Sequence, residues 1–184
     1  MKEKTSTGQL CFLAISIALS LVTKQAISPI TNLLTDFIRI PGGGAATAFS
    51  LMFLVIATNG MRWPLATAAA GFVQSLIALS LGMSAYQGVF AILTYTLPGV
   101  IIDLFRKTYS RRDKAYFSLS CGAANTAGAF LTNLLVFRLE GISFLLWMLV
   151  ACVIGMLSGL LGETLHRRLL QIPGLGRIIT CQKN

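Results

Sequence analysis

Polar side chains recur at helical spacing inside long apolar runs of this chain, where polar groups are costly. Gln74 is the strongly polar residue in the middle of one run, and Gln87 lies seven residues before Thr94 in the next. Asn125 and Thr132 share a face of a later run. Amides and hydroxyls in such positions face a bundle interior or a cavity. They are candidates for holding a small molecule by hydrogen bonds.

Aromatic and charged residues extend this candidate site toward one end of the runs. Tyrosines and a tryptophan at similar depth can wall a planar molecule. Arg39 and Arg138 stand at a sparsely charged mouth, which favours a ligand with a carboxylate or a phosphate. The predicted substrate-binding residues are Asn32, Asp36, Arg39, Gly43, Gln74, Tyr86, Gln87, Tyr95, Asn125, Asn133, Arg138 and Trp147.

Each of these residues also has a purely structural interpretation. Asn125 and Gln74 can hydrogen-bond between helices as part of their packing. The tyrosines and Trp147 can be anchors at a membrane interface. Arg138 with Glu140 can cap a turn. The residue types alone leave both interpretations open.

Catalysis, a metal site and a cofactor have little support in the sequence. Asp103 and Glu163 lie near run ends, so no pair of carboxylates and no nucleophile with a base stands inside a run. Asp103, close to Arg106, is interpreted as a neutralised charge at a helix end. A single histidine, His166, and four scattered cysteines do not make a metal site. No P-loop pattern is present, so this chain is not expected to hydrolyse ATP.

The composition indicates a membrane protein made of helices. The chain has 184 residues, of which 55% are hydrophobic and 11% charged, and its mean hydropathy is +0.75. These values exclude an ordinary soluble domain. The net charge of +9 comes from short basic clusters between apolar runs, which act as topology signals. Nucleic acid is therefore not an expected partner.

A membrane span needs about 20 apolar residues, and the chain contains six such runs. The predicted fold is one all-α membrane domain with spans at 9–27, 44–60, 63–82, 85–105, 115–137 and 141–165, and a cytoplasmic tail at 166–184. With both termini in the cytoplasm, only Lys24, Arg39 and Arg138 of the 15 lysines and arginines fall outside. The basic N-terminus lacks a cleavage signal, so the first span is expected to be retained.

The first external connection, from Ile27 to Gly43, is long for a compact domain and contains the sequence PGGG. Its apolar residues at helical spacing predict a stripe that lies against the bundle: Ile30, Leu33, Leu34 and Phe37. The consecutive glycines let the backbone turn or approach a ligand closely. We expect an ordered lid over the outer mouth. The alternative is a simple helix breaker with a solvated Asp36–Arg39 pair.

Small residues at every fourth position occur in two of the runs. The first run contains Ala14 and Ala18, and the last contains Ala151, Gly155 and Gly159. Such ladders let helices approach closely. One ladder can pack inside the bundle, and a second leaves room for a partner subunit. Internal packing remains the alternative for each.

Together these features resemble the substrate-binding S components of energy-coupling factor (ECF) transporters, the prokaryotic vitamin importers. The resemblance rests on the six spans, the long first external connection, and Ala14 and Ala18 in the place of the family's AxxxA motif. The segment LTYTLPGVIIDLF, Leu93 to Phe105, following GFVQSLIALSLG, also looks like the fourth span of such proteins.

The resemblance implies a non-enzymatic subunit in the prokaryotic cytoplasmic membrane that captures a vitamin-like molecule from outside with high affinity. The segment from Asn32 to Gly44 would be the gate. Ala14 and Ala18 would contact a transmembrane coupling subunit, which two cytosolic ATPase subunits drive. Pocket residues do not carry over, because they vary with the substrate. The charged rim matches no substrate subgroup, so the substrate stays open.

Two other functions remain alternatives. A membrane scaffold would recruit partners through the basic loop RKTYSRRDK and would need no ligand. A solitary secondary transporter would need an ion-coupling carboxylate at mid-membrane and, preferably, inverted repeats.

Overall fold

The computed structural model describes residues 7–36, 43–61, 63–83, 87–109 and 114–172, and all regular structure in these ranges is helical. A 3-10 turn precedes the fourth helix, and a π-helical turn, Asn133–Phe137, extends the fifth. The α-helices are α1 Thr7–Asp36, α2 Gly43–Asn59, α3 Ala66–Ser80, α4 Ala91–Thr108, α5 Lys114–Thr132 and α6 Gly141–Leu170.

Four of these helices, α1, α4, α5 and α6, are long and apolar enough to cross a membrane. The two others, α2 and α3, are apolar but shorter, with 17 and 15 residues. Each predicted apolar run overlaps one helix, and the helices follow one another in the predicted order. The described part of the chain is therefore all-α, as the sequence predicts.

Contacts between helix ends define one end of the bundle. Thr58 of α2 contacts Thr67 at the start of α3, with 2.8 Å between the hydroxyl oxygens. Asn59 contacts His166 near the end of α6, with 3.1 Å between Nδ2 and Nε2. The described lysines and arginines other than Lys24 and Arg138 belong to helix segments at this end, which we call the basic end: Arg106, Lys107, Lys114, Arg167 and Arg168.

A buried ion pair joins three helices at the basic end. Arg106 Nη2 lies 3.1 Å from Asp103 Oδ1, and both side chains are buried. The Asp103 carboxylate also accepts hydrogen bonds from the backbone N–H and the hydroxyl of Thr67, in the first turn of α3. Arg106 donates to the carbonyl oxygens of Thr58 and Trp63. The interpretation of Asp103 as a neutralised helix-end charge is confirmed.

The two small-residue ladders have different environments. On α6, Gly155 and Gly159 are buried against α5, where a Cβ on Gly159 would overlap the carbonyl oxygen of Phe117. Ala14 and Ala18 on α1 are exposed. Because helices approach each other most closely through small residues, the α6 ladder serves packing within the bundle. The α1 ladder is left uncovered.

Helix α1 is longer than the predicted first span. It continues through Pro29 to Asp36, and α2 begins at Gly43. The prediction that the whole segment from Ile27 to Gly43 is a connecting lid is therefore wrong for residues 27–36. A proline in a helix removes its own N–H donor. Two residues after Pro29, the Thr31 hydroxyl donates a hydrogen bond to the carbonyl oxygen of Ile27, at 3.2 Å, and another to a neighbouring carbonyl of the same helix.

The predicted apolar stripe of this segment does not lie against the bundle where it is described. Ile30 is 58% exposed and Leu33 is 68% exposed. The helical spacing was predicted correctly, because the residues do lie on a helix. That helix is the end of α1, and these two side chains lie on its exposed side. Phe37 and the side chain of Leu34 lie outside the described residues.

Gly159→Ala should destabilise the protein by about 1–3 kcal/mol, because the added methyl group meets backbone that cannot move aside. Gly162→Ala is the matched control. Its new Cβ would lie 3.1 Å from Met52 Cβ, and the gain in helix propensity offsets part of that crowding. Thermal unfolding of the purified variants measures the difference. Equal stability of the two variants would contradict the close packing of α5 on α6.

Candidate functional site

A cavity lies between all six helices, in the half of the bundle away from the basic end. Its volume is about 40 Å³, well below the roughly 300–1,000 Å³ of typical small-molecule sites, so the surrounding helices would have to move apart to admit a ligand. The lining residues are Lys24, Gly44, Thr47, Ser50, Leu51, Gln74, Gln87, Thr94, Tyr95, Pro98, Asn125, Gly128, Ala129, Thr132, Phe137 and Trp147.

Many of the sequence-predicted residues come together in this cavity. They belong to α3, to the turn before α4, and to α4, α5 and α6, and they are Gln74, Gln87, Tyr95, Asn125 and Trp147. Each of them is buried. Periodicity and depth were sufficient to find them, because polar residues in apolar helices face the interior.

Other predicted residues are described but do not line the cavity. Asn32 is exposed near the end of α1. Arg138 is exposed as well and follows the π-helical turn with a left-handed φ of 52°. Asn133 is buried, but its amide binds the backbone N–H and carbonyl of Leu139 at 2.8 and 3.2 Å. Asn133 therefore stabilises the turn between α5 and α6.

The remaining predicted residues fall at or beyond the edge of the described ranges. Arg39 and Tyr86 lie outside the described residues. Asp36 is the last residue of α1, and its side chain is outside them too. Gly43 is the first residue of α2. Their predicted roles at the mouth stay predictions.

Lys24 lines the cavity and was not among the predicted site residues. Its Nζ donates a hydrogen bond to the Tyr95 hydroxyl at 2.5 Å and lies 4.1 Å from the centroid of the same ring. The sequence contained a signal for it, since Lys24 is the single charged residue between Thr7 and Thr35. An ionisable residue within an apolar helix indicates a functional site. Because the first span was predicted to end at residue 27, this lysine was interpreted as a charge at the membrane surface.

Gln74 connects three helices on one side of the cavity. Its Nε2 donates to Ser20 Oγ of α1 at 2.8 Å and to Ser50 Oγ of α2 at 3.0 Å. Its Oε1 is buried and has no hydrogen-bond partner among the described residues. Exchanging the amide's N and O would still leave one polar atom on the serines and the other unpaired. Half of this amide therefore serves packing, and the other half is available to a ligand.

Asn125 and Trp147 form the opposite wall. Asn125 Nδ2 donates to the carbonyl of Ala151 at 2.8 Å, which fixes the amide orientation because that oxygen accepts only. Asn125 Oδ1 and Trp147 Nε1 are buried without a hydrogen-bond partner among the described residues. Gly44 permits α2 to lie here, since a Cβ on it would be 3.2 Å from Trp147 Nε1. The Phe137 ring packs edge-on against the indole, with centroids 5.5 Å apart.

Among the described residues, the cavity thus presents one cation, two unpaired acceptors and one unpaired donor between aromatic rings. The cation is Lys24, the acceptors are Gln74 Oε1 and Asn125 Oδ1, and the donor is Trp147 Nε1. The described lining residues include no carboxylate and no histidine. This chemistry suits reversible binding of a polar, flat molecule.

No family model matches the chain, and no curated protein or solved structure matches it. What the protein does is therefore inferred from the chemistry of its cavity and of its helix surfaces.

Lys24→Met should leave the ligand-free protein about as stable as the unchanged protein, because it removes a cation with no carboxylate partner among the described side chains. Arg106→Met is the matched change at the other end of the bundle. It leaves the buried Asp103 carboxylate without its ion pair and should cost about 3–5 kcal/mol. Thermal unfolding in detergent measures both. A large loss in Lys24→Met would indicate that Lys24 has a structural role.

Proposed function

We propose that this chain is the small-molecule-binding S component of an ECF-type importer. It takes a vitamin-like substrate from outside the cell and delivers it through a transmembrane coupling subunit driven by two cytosolic ATPase subunits. The observation that carries the proposal is the cavity, in which buried polar atoms of three side chains have no hydrogen-bond partner among the described residues.

These buried atoms destabilise the ligand-free protein. A buried donor or acceptor without a hydrogen bond costs about 1–3 kcal/mol. Unpaired buried atoms also occur elsewhere among the described residues, for example Thr96 Oγ1 and His166 Nδ1. Those of Gln74, Asn125 and Trp147 differ because the three side chains line one shared space. A ligand admitted to this space by movement of the surrounding helices would recover the cost by pairing with these atoms, whereas a scaffold gains nothing from it.

The same proposal has all six helices crossing the membrane with the basic end in the cytoplasm. Lysines and arginines favour the cytoplasmic side, and the cavity lies in the other half. Helix α3, with 15 residues, is about 22 Å long at 1.5 Å per residue, less than the roughly 30 Å of a hydrocarbon core. Exposed apolar residues next to it, Leu65 and Leu81, extend its apolar length.

A groove between α1 and α3 is the proposed contact surface for the coupling subunit. It is almost wholly apolar and is lined by Ala14, Ile17, Ala18, Leu21, Val22, Gln25, Ala26, Val73, Ile77, Leu81 and Met83. Ala14 and Ala18 allow a partner helix to approach closely. The α6 ladder is already used inside the bundle, so α1 carries the ladder that a partner can reach.

A solitary secondary transporter is less well supported. Such a protein needs an ion-coupling carboxylate near the substrate. Among the described acidic side chains, the buried ones are Asp103 and Glu163, and each forms an ion pair at the basic end, with Arg106 and Arg167. Both are thus engaged far from the cavity.

Gln74→Leu and Asn125→Leu should each reduce the occupancy of a co-purified small molecule about tenfold or more, because each removes a hydrogen-bonding group of the cavity. Native mass spectrometry of the purified chain measures the retained molecule. Asn32→Leu is the control, since this amide is exposed and does not line the cavity. Undiminished occupancy in both cavity variants, with the fold intact, would remove the support for this binding site.

Ala14→Leu and Ala18→Leu should abolish uptake and co-purification of coupling subunits while binding by the isolated chain persists, because the added bulk fills the groove. Ile15→Phe and Leu19→Phe add bulk at exposed positions of α1 outside the groove and should leave uptake unchanged. Uptake is measured in cells, and binding is measured on purified protein. Normal uptake in the alanine variants would rule out this coupling surface.

A further inference from the structure

We infer that the substrate is an anion and that its carboxylate or phosphate pairs with Lys24. The inference rests on the proposed binding function and goes on to name the substrate class. Lys24 takes the anion-binding role that the sequence analysis gave to Arg138, which does not line the cavity.

The charge on Lys24 has no partner of opposite sign among the described side chains. This residue is the single charge in the stretch of α1 from Thr7 to Thr35, and no ion pair among the described side chains includes it. Its contacts are the hydroxyl and the ring face of Tyr95. Both orient the ammonium group and neither neutralises it. A cation in an apolar helix is costly and is found where a counter-ion or substrate comes to it.

Ser20 is a polar neighbour of Lys24 on the same face of α1. Ser20 stands four residues earlier on α1, so the two side chains share a face about 5–6 Å apart. Ser20 accepts the hydrogen bond from Gln74 Nε2. Gln74, whose Oε1 has no partner among the described residues, is therefore bound to α1 one helical turn from the Lys24 backbone, and both residues line the cavity. A ligand whose acid group binds Lys24 would place an N–H or O–H donor toward Gln74.

Asn125 and Trp147 form the far wall of the cavity. Asn125 is bound to the carbonyl of Ala151, which stands four residues after Trp147 on α6. Asn125 Oδ1 and Trp147 Nε1 have no hydrogen-bond partner among the described residues, and both side chains line the cavity. A polar ring that carries a donor and an acceptor fits this pair. The inferred substrate is a small polar ring compound with one acidic group.

The experiment uses a metabolite extract of the producing organism, split by anion exchange into a bound and an unbound fraction. Each fraction is added to the purified full chain, and thermal unfolding is measured. We expect the bound fraction to raise the unfolding temperature by about 5 °C or more when its ligand is well above the dissociation constant. Phosphatase treatment or carbodiimide amidation of that fraction then shows whether the acid is a phosphate or a carboxylate.

Lys24 is tested with three variants. In Lys24→Met the amount of bound fraction needed for half of the maximal shift should rise about 10- to 100-fold, the usual effect of losing a hydrogen bond to a charged group. Lys24→Arg keeps the charge and should retain most of the response. Lys107→Met removes an exposed lysine at the basic end and should behave like the unchanged protein.

The other outcomes are distinguishable. Stabilisation by the unbound fraction alone would overturn the anionic substrate and leave the binding function in place. Equal responses of the unchanged protein and Lys24→Met to the bound fraction would overturn the role of Lys24. No stabilisation by either fraction would refute the binding function, and the inference with it.

Discussion

The structure depends on one constraint: a polar group inside an apolar helical bundle has little water to pair with and must find its partners in the protein. Asp103 and Arg106 satisfy it at the basic end through each other and through the backbone of α2, α3 and the turn between them. This pairing fixes where α3 begins beside α4. It also fills the surroundings of both charges, so that no ligand is needed there.

The opposite half of the bundle meets the same constraint only in part. The amides of Gln74 and Asn125, which line the cavity, each bind neighbouring helices with their nitrogen, and their oxygens have no partner among the described residues. The half-buried Lys24 contacts a tyrosine and has no carboxylate partner among the described side chains. The two halves of one bundle thus differ in how completely their polar groups are paired, and the incompletely paired half is where a ligand contributes most.

The sequence predicted the features of this arrangement that follow from hydrophobic periodicity, and it did not predict those that depend on helix ends and turns. Helices and the cavity amides follow from periodicity, because polar residues in apolar runs turn inward wherever the run is placed. Lys24 was missed because its role depends on where α1 ends, and the first span was predicted to end at residue 27, whereas α1 continues to Asp36. Arg138 was misplaced because its position depends on a π-helical turn and a left-handed residue. No hydrophobic pattern specifies such a turn.

Helix α1 links the two surfaces on which the proposed function depends. Ser20 and Lys24 lie on its cavity face, whereas Ala14 and Ala18 lie about 120° around the helix, at 3.6 residues per turn, on the groove face. A substrate that pairs with Lys24 therefore acts on the same helix that a partner subunit would contact. Any shift of α1 on filling the cavity would change the groove between α1 and α3. The charge in the cavity and the small residues outside it then act through a single rigid element.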